Sequence, residues 1–482
     1  MALALSKEKL GEIVGGKTVP STEKMSFHGV EYDSREVKGG ELFVALPGAK
    51  AHGHTFLDQA FGRGAALALV EDPRLLTESP HAERLVCVPD SLRGFWAIAE
   101  WWRRELDVPV LAVTGSVGKT TVKEIAAAAL LKHSRGIYSL KSHNNHVGVP
   151  YTICRLDRSH AWAVLEMGMN HAGELRALTA IARPDVAVIT CIGPAHIENL
   201  GSLEAIAQAK LEIVAGLRPG GTLVINGDDQ VLAAGLAGCG DIGHPVVRFG
   251  TGPGNDLTVS DVVSRGLEGL TFRLAAGEVI GGGENTATMG ILGRHNALNG
   301  AAAALAIKRL FPDLGLSEII RGLADFRAPL MRLSIKPLTH ERRVIDDSYN
   351  ANPQSMRAAL DIAADLVGSG LRVGLVLGDM LELGEHAPSY HAEIGRVAAA
   401  VKPVFCITVG PISEAIHTVV QGAGIPAFRA ESPEAAAHIA RKFGFDILLV
   451  KASRGTGLDR TVQTLVDRDG ANGETVRSEE SA

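Results

Sequence analysis

The stretch LAVTGSVGKTTVKE, at residues 111–124, contains residue types that bind phosphate groups. Lys119 can reach terminal phosphates, and the Thr120 hydroxyl can hold Mg²⁺. The usual phosphate-loop pattern also has a glycine five residues before the Gly-Lys-Thr triplet. Here Val113 occupies that position and the additional glycine is Gly115. Residue types alone therefore leave the loop open to question.

The elements around this stretch favour phosphate binding. VPVLAV has the continuous apolar character of a buried strand, TGSVGK is a turn, and TTVKEIAAAALLKH has the pattern of a helix. In that order, the turn amides and the helix N-terminus would both point at an anion. A plain strand-to-helix turn is the simpler alternative, and a GTPase is another. Because the sequence has no Asn-Lys-x-Asp guanine-reading motif, we expect an adenine nucleotide.

Two further residues are expected beside this loop if the sheet is parallel. Glu166 ends the strand HAWAVLE, and His196 follows the strand DVAVITCIG. Ligands of open α/β sheets bind outside the carboxyl ends of the strands, and a carboxylate oxygen suits Mg²⁺. Each residue taken alone is more often a surface or capping residue. Their shared placement with the loop favours a functional site.

Lys210 lies within an apolar stripe of the predicted helix SLEAIAQAKLEIVAGL. The other members of the stripe are Leu203, Ile206, Ile213, Val214 and Leu217. One interpretation is that the lysine stem covers apolar surface while its ammonium reaches water. The other is a buried amine with a lowered pKa, which can react with CO₂ to give an anionic carbamate that binds metal. The pattern does not choose between them.

The elements that position these residues divide the chain into three α/β units, which we predict at residues 1–90, 91–327 and 328–482. The first has short strand-like runs such as GELFVALPG and AALALVED. SLRGFWAIAEWWRREL, a helix with a serine start, leads into the second. Runs such as VPVLAV, AWAVLE, DVAVITCIG and GTLVIN, and then RRVIDD, LRVGLVLGD, VFCITVG and FDILLVKAS, alternate with helices, as buried parallel strands do. We expect disorder from about residue 468.

Composition excludes several classes of protein. The chain has 482 residues, of which 46% are hydrophobic and 21% charged, as in globular proteins. A formal net charge of -6 provides no basic field for nucleic acid or anionic lipid. Five scattered cysteines suit a reducing compartment, and we expect all five to be packing residues. No segment has the length and apolarity of a membrane span, so we expect a cytoplasmic protein without stable membrane insertion.

The order of motifs along nearly the whole chain resembles the Mur ligase family. The loop of that family is Thr-Gly-x-x-Gly-Lys-[Thr/Ser], so the displaced glycine is a family trait. The matching segments are TGSVGKTT, NNHVGVP, EMGMNHAGEL, AHIENLGSLEAIAQAKLEI, LGRHNALNGAAAALA, DDSYNANPQSM and GDMLELG. The resemblance implies a small uridine-nucleotide-binding unit, a central P-loop ATPase-like unit with a mostly parallel sheet covered by helices on both faces, and a Rossmann-like third unit.

The resemblance also implies a reaction. The carboxylate of a UDP-N-acetylmuramoyl-tripeptide would be joined to the amine of D-alanyl-D-alanine, with ATP forming an acyl phosphate. The segment DDSYNANP favours this acceptor, because the ligase that adds the third residue usually shows Asp-Tyr-Ala-His there and Asp-Asn-Pro-Arg further on. Such a ligase, a poly-γ-glutamyl synthetase and a nucleotide-gated binding protein without ligase activity are the alternatives. We expect a monomer.

Residue roles carried over from the family follow the matching motifs. ATP is expected to contact the loop, two asparagines one helical turn apart and two residues of the third unit: Gly115, Ser116, Val117, Gly118, Lys119, Thr120, Thr121, Asn296, Asn299, Arg332 and Asp347. Thr120 and Glu166 would bind one Mg²⁺, and His196 and a carbamylated Lys210 a second; Lys119, Glu166, His196 and Lys210 are the expected catalytic residues. The expected UDP-substrate contacts are Ser34, Arg35, Asn144 and Asn145. One departure is Met331, where relatives usually have glycine before Arg332.

Overall fold

The computed structural model describes residues 3–140 and 143–467. Its strands form three large sheets and one two-stranded ribbon. The tail for which we predicted disorder, from about residue 468, lies outside the described residues. None of the described helices has the length and apolarity needed to cross a membrane.

The amino-terminal unit has a five-stranded sheet and short helices. Its strands are β1 (Ala4–Ser6), β2 (Lys17–Thr18), β3 (Ser26–His28), β4 (Val30–Glu31), β5 (Leu42–Val44), β6 (Leu67–Val70) and β7 (Leu85–Cys87), and its helices are α1 (Lys7–Val14), α2 (Leu57–Gly62) and α3 (Leu75–Glu78). Strands β4 to β7 are parallel neighbours, β2 pairs with β7 antiparallel, and β1 and β3 form the ribbon. The runs GELFVALPG and AALALVED contain β5 and β6, as predicted.

The central unit has nine strands. They are β8 (Val110–Thr114), β9 (Ile137–Tyr138), β10 (Ala163–Glu166), β11 (Val186–Ile189), β12 (Thr222–Asn226), β13 (Val246–Gly250), β14 (Leu257–Ser264), β15 (Leu270–Ala276) and β16 (Glu284–Met289). Their order in the sheet is β16-β15-β14-β13-β12-β11-β8-β10-β9. The strands from β8 to β14 are parallel, and β14, β15 and β16 form an antiparallel extension that the sequence analysis did not predict.

Helices cover both faces of the central sheet. They are α4 (Ser91–Glu105), α5 (Lys119–Leu130), α6 (Gly148–Cys154), α7 (Glu174–Ala182), α8 (Ile197–Leu200), α9 (Leu203–Leu211), α10 (Gln230–Gly238), α11 (Asn296–Leu310) and α12 (Leu316–Leu323). Helices α5, α11 and α12 pack on one face, and α4, α6, α7 and α9 on the other. The apolar cluster on the face covered by α4 also includes residues of β5 and β6. Helix α4 therefore lies between the first sheet and the central one.

The third unit is a six-stranded sheet in the order β17-β18-β22-β19-β20-β21 when numbered along the chain. Its elements are β17 (Ser334–Pro337), β18 (Arg343–Asp347), α13 (Pro353–Gly368), β19 (Val373–Gly378), α14 (Ala387–Val401), β20 (Phe405–Val409), α15 (Glu414–Gly422), β21 (Ala427–Ala430), α16 (Pro433–Ala440), β22 (Ile447–Lys451) and a helical segment at 459–467. All neighbours are parallel except β17, which pairs antiparallel with β18. The predicted α/β fold class with three such units is confirmed.

Helix α4 begins at Ser91, as predicted. The residue that caps it is Asp90, whose carboxylate accepts a hydrogen bond from the Arg93 amide.

The expectation that all five cysteines are packing residues was wrong. Cys239 is exposed and Cys191 is half-buried, because residue type does not fix which side of a helix or turn faces solvent.

Candidate active site

The phosphate loop joins β8 to α5 at the carboxyl edge of the central sheet. Val113 lies inside β8, paired with Glu166 of β10, so it precedes the turn. Gly115 and Gly118 have φ values of +146° and +88°. A Cβ on Gly115 would lie 1.8 Å from Thr190 Oγ1, and one on Gly118 would lie 2.5 Å from Asn299 Oδ1. The shifted glycine is therefore required by packing at position 115.

Lys119 folds back over this turn. Its Nζ donates a hydrogen bond to the Gly115 carbonyl at 2.7 Å. Burial lowers the pKa of the Lys119 amine, and the nearby Glu166 carboxylate opposes that shift. The Lys119 ammonium group therefore lies against the part of the turn that an anion would approach.

Glu166 is the buried carboxylate of the site, with 1% of its surface exposed. Its Oε2 accepts from Thr120 Oγ1 and its Oε1 from Asn144 Nδ2, each at 2.8 Å. Its backbone amide donates to Ser139 Oγ at 3.1 Å. These contacts fix the carboxylate beside the threonine hydroxyl and give two hard oxygen donors at the end of the loop.

Lys123, which the sequence analysis missed, lies behind Glu166 and is fully buried. Its Nζ donates to the Ser139 carbonyl at 2.7 Å and lies 2.8 Å from Glu124 Oε1 and 3.8 Å from Glu166 Oε2. The signal that could have revealed it is the one that revealed Lys210, a lysine on the inward face of an apolar helix. The Lys123 side chain differs in having two carboxylates, Glu124 and Glu166, close to its Nζ.

Lys210 is buried in α9, with 1% of its surface exposed, so its ammonium does not reach bulk water. Burial lowers its pKa well below the usual value, and the Lys119 charge lowers it further. Within residues 3–140 and 143–467, no carboxylate oxygen forms an ion pair with it. Of the two interpretations, the structure supports the buried amine.

His196 lies at the start of α8, in the left-handed region with φ of +61°. Its Nδ1 is 2.6 Å from Oε2 of Glu382 in the third unit, a residue the sequence analysis did not single out. A cleft of about 440 Å³ is lined by His196 together with Lys119, Asn144, Asn145, Glu166 and Arg332. Lys210 is not among the described residues that line it.

A second, smaller cavity of about 130 Å³ adjoins the loop. Its lining includes Ser116, Val117, Gly118, Lys119, Thr120, Thr121, Asn296, Asn299, Arg332 and Asp347. Asn299 Nδ2 donates to Asn296 Oδ1 at 2.7 Å, and the Arg332 guanidinium lies 4.2 Å from the centre of the Tyr349 ring. The structure therefore brings the predicted nucleotide-binding residues of two units to one place, except Gly115, which is not among the described residues that line the cavity.

Asp347 faces Lys451 in this cavity, with Nζ 2.5 Å from Oδ2. Burial raises the pKa of Asp347, while Lys451 and Arg332 oppose the shift. Arg332 is flanked by Met331 and Leu333, which have φ values of +62° and +56°. Glycine is favoured at such φ values, so a relative with glycine before the arginine would adopt this turn at lower cost.

Of the four residues predicted to bind the UDP-substrate, Asn144 and Asn145 line the cleft, and Ser34 and Arg35 are not among the described residues that line it. Ser34 is buried and donates to Gln59 Oε1 at 2.6 Å, and Arg35 pairs with Asp33. Asn145 Oδ1 accepts hydrogen bonds from the backbone amides of Val147 and Gly148.

Comparisons with known proteins agree along the chain. Residues 26–95 match the family described as "Mur ligase family, catalytic domain", residues 113–307 match "Mur ligase middle domain", and residues 331–454 match "Mur ligase, glutamate ligase domain". The UDP-N-acetylmuramoyl-tripeptide--D-alanyl-D-alanine ligase of Bacillus subtilis is 35% identical over 472 residues, which cover 95% of this chain and 98% of that protein.

Solved structures give the same result. The crystal structure of MurF from Acinetobacter baumannii superposes with a TM-score of 0.84 at 27% identity, covering 96% of this chain and 99% of that one. MurF ligase from Thermotoga maritima in complex with ADP superposes with a TM-score of 0.76 at 25% identity, covering 91% and 96%.

Proposed function

The chain belongs to the Mur ligase family, and we infer that it is the ATP-dependent ligase that joins D-alanyl-D-alanine to UDP-N-acetylmuramoyl-tripeptide. The product is the UDP-N-acetylmuramoyl-pentapeptide used in peptidoglycan synthesis. A carboxylate is a poor acceptor for an amine, because its oxygen would have to leave as oxide. Transfer of the γ-phosphoryl group of ATP gives an acyl phosphate, from which phosphate leaves readily.

The observation that carries this proposal is the convergence of two units on one cleft. Lys119, Glu166 and His196 come from the central unit, and Arg332 comes from the third. Phosphoryl transfer depends on positioning and on neutralising charge more than on a protein nucleophile. A cleft with a phosphate loop, a fixed carboxylate and cations from two units meets both needs.

We assign the nucleotide to the loop and the adjoining cavity. The amides of the turn from Gly115 to Gly118 and the start of α5 bind the phosphates, and Lys119 leaves the Gly115 carbonyl to neutralise the terminal ones. Asn296 and Asn299 read the base or ribose. Arg332 and Asp347 close over the nucleotide from the third unit.

Mg²⁺ fits the residues beside the loop. Mg²⁺ prefers oxygen ligands, and Thr120 Oγ1 and Glu166 Oε2 are two such atoms already held 2.8 Å apart. We assign them to one ion, and His196 with a carbamate on Lys210 to a second. Bound there, the ions would neutralise phosphate charge. The buried, apolar setting of Lys210 supports the carbamate, because an uncharged amine is the form that reacts with CO₂.

For the UDP-substrate, Ser34 and Arg35 of the amino-terminal unit and Asn144 and Asn145 of the cleft are the proposed contacts. Tyr151 OH of the central unit donates to Glu31 Oε1 at 2.7 Å and joins the two units next to Ser34. A substrate held by both units would span this junction. Asn144 would then both position Glu166 and contact substrate.

A phosphate-release assay with a panel of amines tests the reaction. The protein is mixed with ATP, Mg²⁺ and UDP-N-acetylmuramoyl-tripeptide, and then with D-alanyl-D-alanine, single amino acids or glutamate with a folate acceptor. We expect release of phosphate in step with pentapeptide formation only for D-alanyl-D-alanine. Lys119→Ala should lower the rate by about 10²- to 10³-fold, because it removes a charge that stabilises the transition state.

Two results would overturn the assignment. Turnover with a single amino acid would make the protein a different amino-acid ligase of the family. Nucleotide binding without phosphate release for any amine would make it a nucleotide-gated binding protein.

A further inference from the structure

The segment GDMLELG, at residues 378–384, brings Glu382 of the third unit against His196, which lines the cleft; Glu382 itself is not among the described residues that line it. Three hydrogen bonds hold the preceding residues: Asp379 Oδ1 accepts from the Ser413 amide at 2.7 Å, the Met380 amide donates to His391 Nε2 at 2.9 Å, and the Leu381 amide donates to Ser453 Oγ at 3.0 Å. The position of Glu382 is therefore fixed by the core of the third unit.

The Glu382 carboxylate meets His196 at the edge of the cleft. Its Oε2 lies 2.6 Å from His196 Nδ1, and 53% of its side chain is exposed. Both residues have left-handed backbones, with φ of +63° and +61°. Such conformations cost about 1 to 3 kcal/mol each and persist where surrounding contacts impose them. The fold holds this carboxylate beside His196 against a local backbone preference.

The two carboxylates among the described residues that line the cleft already accept hydrogen bonds. Glu166 accepts from Thr120 and Asn144 with its two oxygens. Glu174 accepts from the Asn170 amide at 2.8 Å. Within the described part of the chain, His196 is the one side chain recorded against the Glu382 carboxylate. Glu382 therefore has room for a cationic partner.

The proposed reaction uses one such cation as its acceptor substrate. The α-amino group of a peptide has a pKa near 8 and is largely protonated at neutral pH. The central unit supplies the phosphate loop and Glu166, and the third unit adds the Glu382 carboxylate beside His196. We propose that Glu382 binds the ammonium group of the acceptor dipeptide beside His196. This inference rests on the ligase function proposed above and names the residue that receives the acceptor.

The step balances without a further reactant. The C–N bond forms as the bond between the acyl carbon and the phosphate oxygen breaks, and phosphate leaves with the electron pair. Of the two protons that the ammonium group loses, one goes to the departing phosphate and the other to water. Glu382 holds the ammonium until that loss.

Glu382→Gln tests the proposal with two measurements on the full-length protein. The first traps the acyl phosphate with borohydride, using ATP and UDP-N-acetylmuramoyl-tripeptide without acceptor. The second measures the KM for D-alanyl-D-alanine by phosphate release. We expect the trapped yield to stay unchanged and the KM to rise about 10- to 100-fold, as for the loss of a charged hydrogen bond. Glu385→Gln, at an exposed glutamate directly after this segment, is the matched control and should change neither.

A hydroxyl analogue provides the second arm. D-Lactyl-D-alanine lacks the ammonium group. In the wild type, its inhibition constant against the dipeptide should therefore be at least tenfold higher than the KM for D-alanyl-D-alanine. Glu382→Gln should remove most of that difference. An equal fall in trapping and ligation would make Glu382 a contact between units or a metal ligand, and an unchanged KM would also overturn the proposal. If the wild type itself yields no acyl phosphate, the ligase function fails instead.

Discussion

Two fully buried lysines lie on helices that cover opposite faces of the central sheet, and their surroundings differ. Lys123 of α5 lies against a carbonyl and two carboxylates, those of Ser139, Glu124 and Glu166. Lys210 of α9 is buried on the same helix as the buried apolar residues Ile206 and Ala207, without a carboxylate partner in the described chain. A buried charge is costly unless it is paired.

The difference separates two uses of a buried amine. Lys123 lies 2.8 Å from Glu124 and 3.8 Å from Glu166, where it can serve as the counter-ion of a carboxylate in the interior. For Lys210, burial lowers the pKa and disfavours the charged form, which leaves an amine able to react. The same residue type is thus a counter-ion in one region and a modifiable group in the other.

The largest expected effect comes from removing the reactive amine. Lys210→Ala should lower ligation by about 10³-fold, because it removes the carbamate proposed to hold the second ion. Formate or acetate, which can place a carboxylate in the vacated space, should partly restore phosphate release. Gln208→Ala, an exposed position on the same helix, is the control and should keep wild-type activity. Full activity of Lys210→Ala without rescue would contradict the carbamate.

The next test compares the same substitution at both sites. Lys123→Met should lower the free energy of unfolding by about 3 to 5 kcal/mol, since it leaves a buried carboxylate without its counter-ion. Lys210→Met should raise it by about 1 kcal/mol or more, because methionine suits the apolar surroundings. Urea unfolding of the metal-free protein measures both.

Glu124→Gln identifies which carboxylate matters for Lys123. Glu124 is partly exposed, so its loss should cost less than about 1 kcal/mol in the same urea experiment. Equal changes for Lys123→Met and Lys210→Met would show that the two environments do not differ in the way the contacts indicate.

The smallest effect is a dependence on pH. The pKa of Lys210 is lowered in the folded protein, so between that pKa and about 10.4 the unfolded chain binds more protons than the folded one. In this window the stability of the wild type rises with pH, and the advantage of Lys210→Met should shrink from pH 7 towards pH 10. Urea unfolding in CO₂-free buffers measures the difference in free energy of unfolding between Lys210→Met and the wild type at each pH. A difference that stays constant would mean that Lys210 keeps its ordinary pKa.

Much of the site could be predicted because it depends on local sequence. The strand, turn and helix around Lys119 follow from an apolar run, glycines and a helical pattern. Glu166 and His196 follow strands that the sequence identifies. The antiparallel strands β14 to β16, the cap at Asp90 and the exposed Cys239 were missed or misjudged, since each depends on which neighbour a residue meets.

Sequence by itself determined the strands and helices around the phosphate loop, the loop itself and the presence of a lysine in an apolar stripe, because backbone preference and periodicity are local properties. Tertiary structure alone decided that Lys123 has carboxylate partners, that Lys210 has none among the described residues, and that Glu382 reaches His196. Charge, burial and pKa depend on atoms brought together from distant parts of the chain, and those distances exist only after folding.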